Sequence, residues 1–279
     1  MAEILDGRKV AERIKAGLEE RLSGLQTSPK LAIVLATDNQ STLAYVRMIR
    51  KTAEGTGMEA DIIDLGPNTD QNAFTDKIKA LAEDSEVNGI IIQTPVADGL
   101  EIDEARSLIP PGKDVDGANQ LSAGRLASGL PAFAPATAQA VMEILENYDI
   151  PLSGRHAVVI GRSRVIGKPV SQLLLSKDAT VTVCHSRTVD ISLFTRQADI
   201  LVAAAGKTGL VTKEHINPVK NTVVIDVGTN FKDGKMTGDT DFEGVRDLAG
   251  AITPVPGGVG PVTNAILLRN TLEAYLKQK

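Results

Sequence analysis

The sequence predicts an α/β protein of two α/β domains, the second a Rossmann-like dinucleotide-binding domain. Three observations predict it. Apolar runs of strand type alternate with segments of helical periodicity along almost the whole chain, the pattern of a parallel sheet with crossover helices. Residues 154–188 read as strand, glycine turn, helix and strand, half of a nucleotide-binding βαβ unit. The 279 residues suffice for two domains of ordinary size.

Val10, Ile14, Leu18 and Leu22 mark an opening helix. Residues 31–36 form a strand, 42–54 a helix, 60–65 a strand and 72–81 a helix. Residues 89–93, GIIIQ, are a fully apolar strand ending in a polar residue. The Pro- and Gly-rich stretch 95–135 predicts no regular element. A helix over 138–147 leads into the nucleotide unit. There 156–160 is the first strand, and Gly161 and Gly167 bracket a turn. Val170, Leu173 and Leu174 give 168–176 a helical stripe, with Pro169 in the first turn, where a missing N–H costs nothing. Residues 180–184 are β-branched and strand-like. Further strands are expected at 200–204 and 222–227, and a tight hairpin turn at 232–235 around Asp233 and Gly234. The segment 253–262, TPVPGGVGPV, predicts neither helix nor strand; it reads as a ligand wall or as a rigid turn before the last helix, 264–276.

Composition narrows the function. A net charge of −5 argues against a general nucleic-acid binder, and scarce aromatics with no tryptophan argue against a base-stacking groove. One cysteine excludes an internal disulfide framework and fits a reducing cytosol. The three histidines are scattered, so no metal cluster is expected. The N-terminus lacks a signal-type apolar core, and no run is long enough to span a bilayer. The expectation is a cytoplasmic protein with no nucleic-acid, membrane or metal partner.

The glycine turn suggests the cofactor. A helix N-terminus after a strand suits a pyrophosphate, although G-x5-G is not the usual G-x-G-x-x-G. An NAD site places an acid after the second strand; here that place reads His185, Ser186, Arg187, Thr188, with no carboxylate. Arg162 and Arg187 make a cradle for a 2′-phosphate, which points to NADP rather than NAD. Arg187 also reads as a solvated loop charge. In the first half Tyr45, Gln93 and Asp116 stand out. Read alone, each has a plainer explanation: a half-buried packing tyrosine, a strand cap and an Asx turn in DVDG.

Together these residues carry a resemblance. GRSRVIGKP, TVTVCHSRT, IDVGTN, GDTDF and TPVPGGVGPVT in the second half, with the Tyr45 helix, GIIIQTP, KDVDG and Gly124–Leu126 in the first, resemble the methylenetetrahydrofolate dehydrogenase/cyclohydrolase family over nearly the whole chain. The resemblance implies a first, catalytic and folate-binding domain of residues 1–137 with 264–279, a dinucleotide domain of 138–263, and an active-site cleft between them. It implies a tetrahydrofolate substrate, NAD(P) and a homodimer. Tyr45 would stack on the pterin. Gln93 and Asp116 would hydrogen-bond the folate or its proton-transfer partners. Pro256, Gly257 and Gly260 would form the folate-side wall. Gly161, Arg162, Ser163, Ser186 and Thr229, with Arg187, would hold the dinucleotide.

Two departures bear on the reaction. The family pattern Tyr-x-x-x-Lys here reads Tyr45-Val46-Arg47-Met48-Ile49, so Ile49 holds the position of the lysine central to hydrolysis. Arg50 and Lys51 point elsewhere around the helix. The family's Pro-Cys-Thr-Pro-x-Gly segment reads Pro135-Ala136-Thr137-Ala138-Gln139-Ala140, which favours helix over turn. Hydride removal needs no neighbouring ammonium, whereas hydrolysis needs a group that moves protons, and isoleucine moves none. The expectation is an NADP-dependent methylenetetrahydrofolate dehydrogenase with cyclohydrolase activity lost or weak. The alternatives are a bifunctional enzyme that manages hydrolysis through Asp116 and water, and a non-catalytic folate- or dinucleotide-binding paralogue.

Overall fold

The computed structural model describes residues 2–232 and 234–279. In chain order the elements are β1 (Glu3–Ile4), α1 (Gly7–Leu22), β2 (Lys30–Leu35), α2 (Gln40–Thr56), β3 (Glu59–Asp64), α3 (Gln71–Glu83), β4 (Gly89–Ile92), α4 (Ile102–Ser107), α5 (Gln120–Ala127) and α6 (Ala136–Asn147). They continue with β5 (His156–Ile160), α7 (Gly167–Leu175), β6 (Thr180–Cys184), α8 (Ser192–Thr195), β7 (Ile200–Ala203), β8 (Val223–Asp226), β9 (Asn230–Lys232), β10 (Lys235–Thr237), α9 (Phe242–Val245), β11 (Ala251–Ile252) and α10 (Val259–Gln278).

The chain divides into two compact units. One comprises Arg13–Ala136 with Asn264–Lys279. Its sheet is parallel, in the order β3-β2-β4. The middle strand, KLAIVL, is apolar because both of its faces are covered. Ala32, Val34 and Ile90 pack with Phe74 and Ile78 of α3 in a continuous core. Asn39 caps α2 by accepting from the Thr42 N–H at 3.0 Å. The buried face of α2 is Thr42, Val46, Ile49, Ala53 and Thr56.

The other unit comprises Met1–Glu12 with Thr137–Thr263. Its larger sheet has six strands in the order β1-β11-β8-β7-β5-β6, all parallel, as in a dinucleotide-binding sheet. No helix among the described residues is long and apolar enough to cross a membrane.

Three expectations need correction. Residues 1–12 cluster with the later unit rather than the earlier one, because the two-residue β1 pairs with β11. The stretch 95–135 is not devoid of regular structure: α4 carries Asp103 and Glu104 in its first turn, where they suit the helix dipole, and α5 is capped by Asn119 accepting from Leu121 N–H at 2.6 Å. Helices of six and eight residues are too short to show a clear period. The last helix starts at Val259, inside the segment expected to be irregular. Gly260 and Pro261 fall in its first turn, where backbone N–H groups have no intrahelical partner to lose. The expected hairpin forms between β9 and β10, with Lys232 opposite Lys235; its Asp233 lies outside the described residues.

Candidate active site

The dinucleotide end is built on the carboxyl edge of β5 and β7. Both strands are buried apolar runs in the middle of the parallel sheet, so the ligand surface falls on the loops beyond them. Gly161 follows β5 with φ 125°, and a Cβ there would lie 2.1 Å from the Ala204 carbonyl oxygen. Only glycine allows that approach of the two loops. Ser163 Oγ accepts from the N–H groups of Ile166 (3.2 Å) and Gly167 (3.4 Å), fixing the entry to α7.

Around this turn opens a cavity of about 630 Å³. Gly161, Arg162, Ser163 and Ser186, all named by the family resemblance, line it together, and Ala204, Ala205 and Lys207 line it from beyond β7. Arg187 and Thr229 are exposed and are not among the lining residues. The Arg187 N–H donates to His185 Nδ1 at 3.2 Å, a loop-closing bond. Of the two arginines named for the 2′-phosphate, Arg162 lines the cavity. Asp190 also lines the cavity, a few residues past the end of β6. Its carboxylate accepts from Ser192 Oγ (2.7 Å) and Ser192 N–H (2.9 Å), which hold it below the usual carboxylate range. Asp190-Ile191-Ser192 is an Asx-turn spacing and was legible as such; Lys207, in the loop after β7, carries no comparable signal. The glycine floor, the volume and the cations Arg162 and Lys207 fit a dinucleotide.

In the same unit, Pro256 is exposed and Gly257 is buried, with the Gly257 carbonyl accepting from Gly7 N–H at 2.9 Å. Gly260 is exposed in the first turn of α10.

In the other unit, α2 carries Tyr45, and the loop 113–117 carries Asp116. That loop is held on several sides. The Lys113 carbonyl accepts from Ile90 N–H of β4 at 2.8 Å, and the Val115 carbonyl accepts from Asn270 Nδ2 of α10 at 2.8 Å. The buried Asp114 carboxylate accepts from the N–H groups of Ala118 and Asn119, both at 3.0 Å. Asp116 is half-buried. Burial, then the neighbouring Asp114 charge, pushes its carboxyl up to about 7, against the opposing pull of Arg106. Burial, then the Asp116 charge, pushes the Tyr45 hydroxyl up. Tyr45 and Asp116 are thus electrostatic neighbours, one a proton donor throughout the physiological range and the other a carboxyl that titrates near neutrality.

Gln93 directly follows β4, at the carboxyl edge of the same sheet; its Nε2 donates to the Thr94 carbonyl at 3.2 Å. No hydrogen bond joins it to Tyr45 or Asp116 among the described residues. Ile49 lies one turn from Tyr45 and is 0% exposed, within the buried face of α2. Arg50 is exposed and paired with Glu54 at 2.7 Å, and Lys51 is exposed. Residues 136–140 are the first residues of α6, as their alanines predict, and Ala136, Ala138 and Ala140 are all buried.

The six-stranded parallel sheet with its glycine turn and cavity defines a dinucleotide-binding α/β protein. A family model described as the NAD(P)-binding domain of tetrahydrofolate dehydrogenase/cyclohydrolase matches residues 135–279, and one described as the catalytic domain matches residues 5–116. The chain belongs to the tetrahydrofolate dehydrogenase/cyclohydrolase family. It is 48% identical over 274 residues to the bifunctional protein FolD 1 of Saccharopolyspora erythraea, covering 97% of this chain and 93% of that one. Its structure is similar to that of the bifunctional FolD methylenetetrahydrofolate dehydrogenase/cyclohydrolase of Campylobacter jejuni, with TM-score 0.96, 38% identity and 100% of both chains covered. The Trypanosoma brucei enzyme, solved with NADP and an inhibitor, gives TM-score 0.94 and 37% identity, covering 99% of this chain and 98% of that one.

Proposed function

We propose that this protein oxidises 5,10-methylenetetrahydrofolate to 5,10-methenyltetrahydrofolate with NADP, and that it hydrolyses the methenyl product only slowly. The observation that carries the first step is the 630 Å³ cavity at the Gly161 turn, in the unit matched to an NAD(P)-binding domain. NADP accepts the hydride. The NADP-bound relative and Arg162 in the cavity support NADP over NAD. Gly161, Ser163 and Ser186 would hold the dinucleotide, and Tyr45, Gln93, Asp116, Pro256, Gly257 and Gly260 would bind and orient the folate. Positive charge develops on the folate as hydride leaves, which an ionised Asp116 favours and an ammonium at position 49 would oppose.

The relatives are called bifunctional, and this favours the bifunctional alternative over the dehydrogenase with lost or weak cyclohydrolase activity expected from the sequence. What position 49 adds is a reason for the second step to be weak. Hydrolysis needs water to lose a proton and a leaving nitrogen to gain one, and Ile49 offers neither exchange. Asp116, titrating near 7, is the group left to move that proton. The test is a turnover assay with NADP and methylenetetrahydrofolate. Binding of both without NADPH formation would select the non-catalytic paralogue instead. The family resemblance extends this reading to a homodimer, which sedimentation of the full chain checks.

A further inference from the structure

Apart from Thr229, the segments IDVGTN and GDTDF have no role in the site described so far, yet they hold two of the most enclosed carboxylates among the described residues. Asp226, at the end of β8, is 3% exposed and Asp239 is 0% exposed. Neither has an ion-pair partner among the described residues. Each is instead saturated by N–H groups. Asp226 Oδ1 accepts from the N–H groups of Gly228 and Asp239, both at 2.9 Å, and Oδ2 accepts from Thr240 N–H at 2.8 Å. Asp239 in turn accepts from three consecutive peptide groups: Ala205 (2.6 Å) and Gly206 (2.9 Å) on Oδ2, and Lys207 (2.8 Å) on Oδ1, where Asn230 Nδ2 adds a fourth bond at 2.9 Å. The two carboxylates form a chain from the end of β8 to the loop after β7. The flanking glycines leave room for it. A Cβ on Gly238 would lie 2.0 Å from Asp226 Oδ2, and one on Gly228 would lie 2.3 Å from Asp239 Oδ1.

Three successive N–H groups converging on one point form an anion-binding nest. Here the occupant is the protein's own carboxylate. The nest lies in the loop whose Ala205 and Lys207 line the dinucleotide cavity. We propose that Asp239 is a positioning residue for the dinucleotide: it fills the 205–207 nest, sets that wall of the cavity before the cofactor arrives, and is itself aimed by Asp226. Because the three N–H groups are already paired, the loop offers the cofactor a fixed surface and no competing phosphate site. Ordering this loop is then no part of the cost of binding. The inference rests on the reading of this cavity as the NADP site.

The test measures dissociation constants of the full chain for NADPH and for a tetrahydrofolate analogue. Asp239→Asn keeps the shape but leaves a single acceptor oxygen for four donors. Its NADPH constant is expected to rise about tenfold or more, the factor that about 1.4 kcal/mol represents, while the folate-analogue constant stays put. Asp226→Asn, one step removed, is expected to show the same selectivity with a smaller factor. An unchanged NADPH constant overturns the proposal. So does an equal loss for both ligands in proportion to a fall in Tm, since that marks a merely structural residue. Amide exchange in the unmutated protein decides the matter if the variants fail to fold. The amides of residues 205–207 are expected to exchange slowly without cofactor and to slow no further with it; fast exchange in the free protein overturns the proposal. Failure of the unmutated protein to bind NADPH would instead count against the cofactor reading, and the exchange result would still judge the nest.

Discussion

At the scale of single residues, the site depends on where burial places charge. Arg162 lines the dinucleotide cavity and Arg187 does not. Arg162→Ala is expected to weaken NADP relative to NAD by about 1.5–3 kcal/mol, the range of a charge-assisted hydrogen bond, whereas Arg187→Ala should change the ratio far less. Binding constants for both dinucleotides check this; an equal ratio in wild type and Arg162→Ala would remove the arginine from 2′-phosphate recognition. Asp116 makes a second expectation. Its carboxyl is pushed up to about 7, so between the ordinary carboxylate value and 7 the folded protein holds a proton that the unfolded chain has released. Stability from this group is therefore full at low pH and is lost as pH rises through that window. Asp116→Asn should flatten this part of the Tm-against-pH curve. It should also remove a group titrating near 7 from the pH profile of kcat/KM, which reports the free enzyme. Profiles that superimpose would take Asp116 out of the chemistry.

Elements hold these residues in place, and two helices do most of it. Asn270 of α10 donates to the Val115 carbonyl, 155 residues earlier in the chain, and so fixes the peptide next to Asp116. Asn270→Leu leaves that buried carbonyl unpaired. The expected cost is about 1–3 kcal/mol in denaturant unfolding, with a fall in kcat beyond what the folded fraction explains. On α2 the buried stripe makes a charge at position 49 costly. Ile49→Lys would put an ammonium among Val46 and Ala53, at an expected cost of about 3–5 kcal/mol at pH 7. That loss should shrink as pH rises, because burial lowers an amine's pKa. In the fraction that folds, hydrolysis of the methenyl compound is expected to rise. These elements were mostly legible in sequence, because period and strand length are local signals: β5 and β6 match their predicted bounds, α2 and α3 extend theirs by one or two residues at each end, and α6 starts two residues early and ends where expected. The two-residue strands β1 and β11 were not, since their hydrogen bonds join residues some 250 apart and two residues show no pattern. Tyr45, Gln93 and Asp116 were legible only through a family resemblance. The proximity of Tyr45 to Asp116 and the wall role of the 205–207 loop arise from packing across distant segments. Arg187 does not line the cavity, although Ser186 beside it does.

For the whole molecule, a family that carries out two consecutive reactions is represented here by a chain whose residue one turn beyond Tyr45 is a buried isoleucine. Hydride transfer asks for positioning, which the glycine turn, the cavity and the held loops supply. Hydrolysis asks in addition for a proton-transfer group, and Asp116 stands without an amine at position 49. The central claim is therefore a separation of rates within one protein. It is tested most directly by following both steps on a single sample: NADPH formation from methylenetetrahydrofolate, then the decay of methenyl absorbance above the buffer rate. The expected result is prompt NADPH formation with accumulation of the methenyl compound and slow enzyme-dependent decay. Enzyme-dependent decay that keeps pace with NADPH formation, so that no methenyl compound accumulates, would contradict the account, since proton transfer would then be efficient without an amine at position 49.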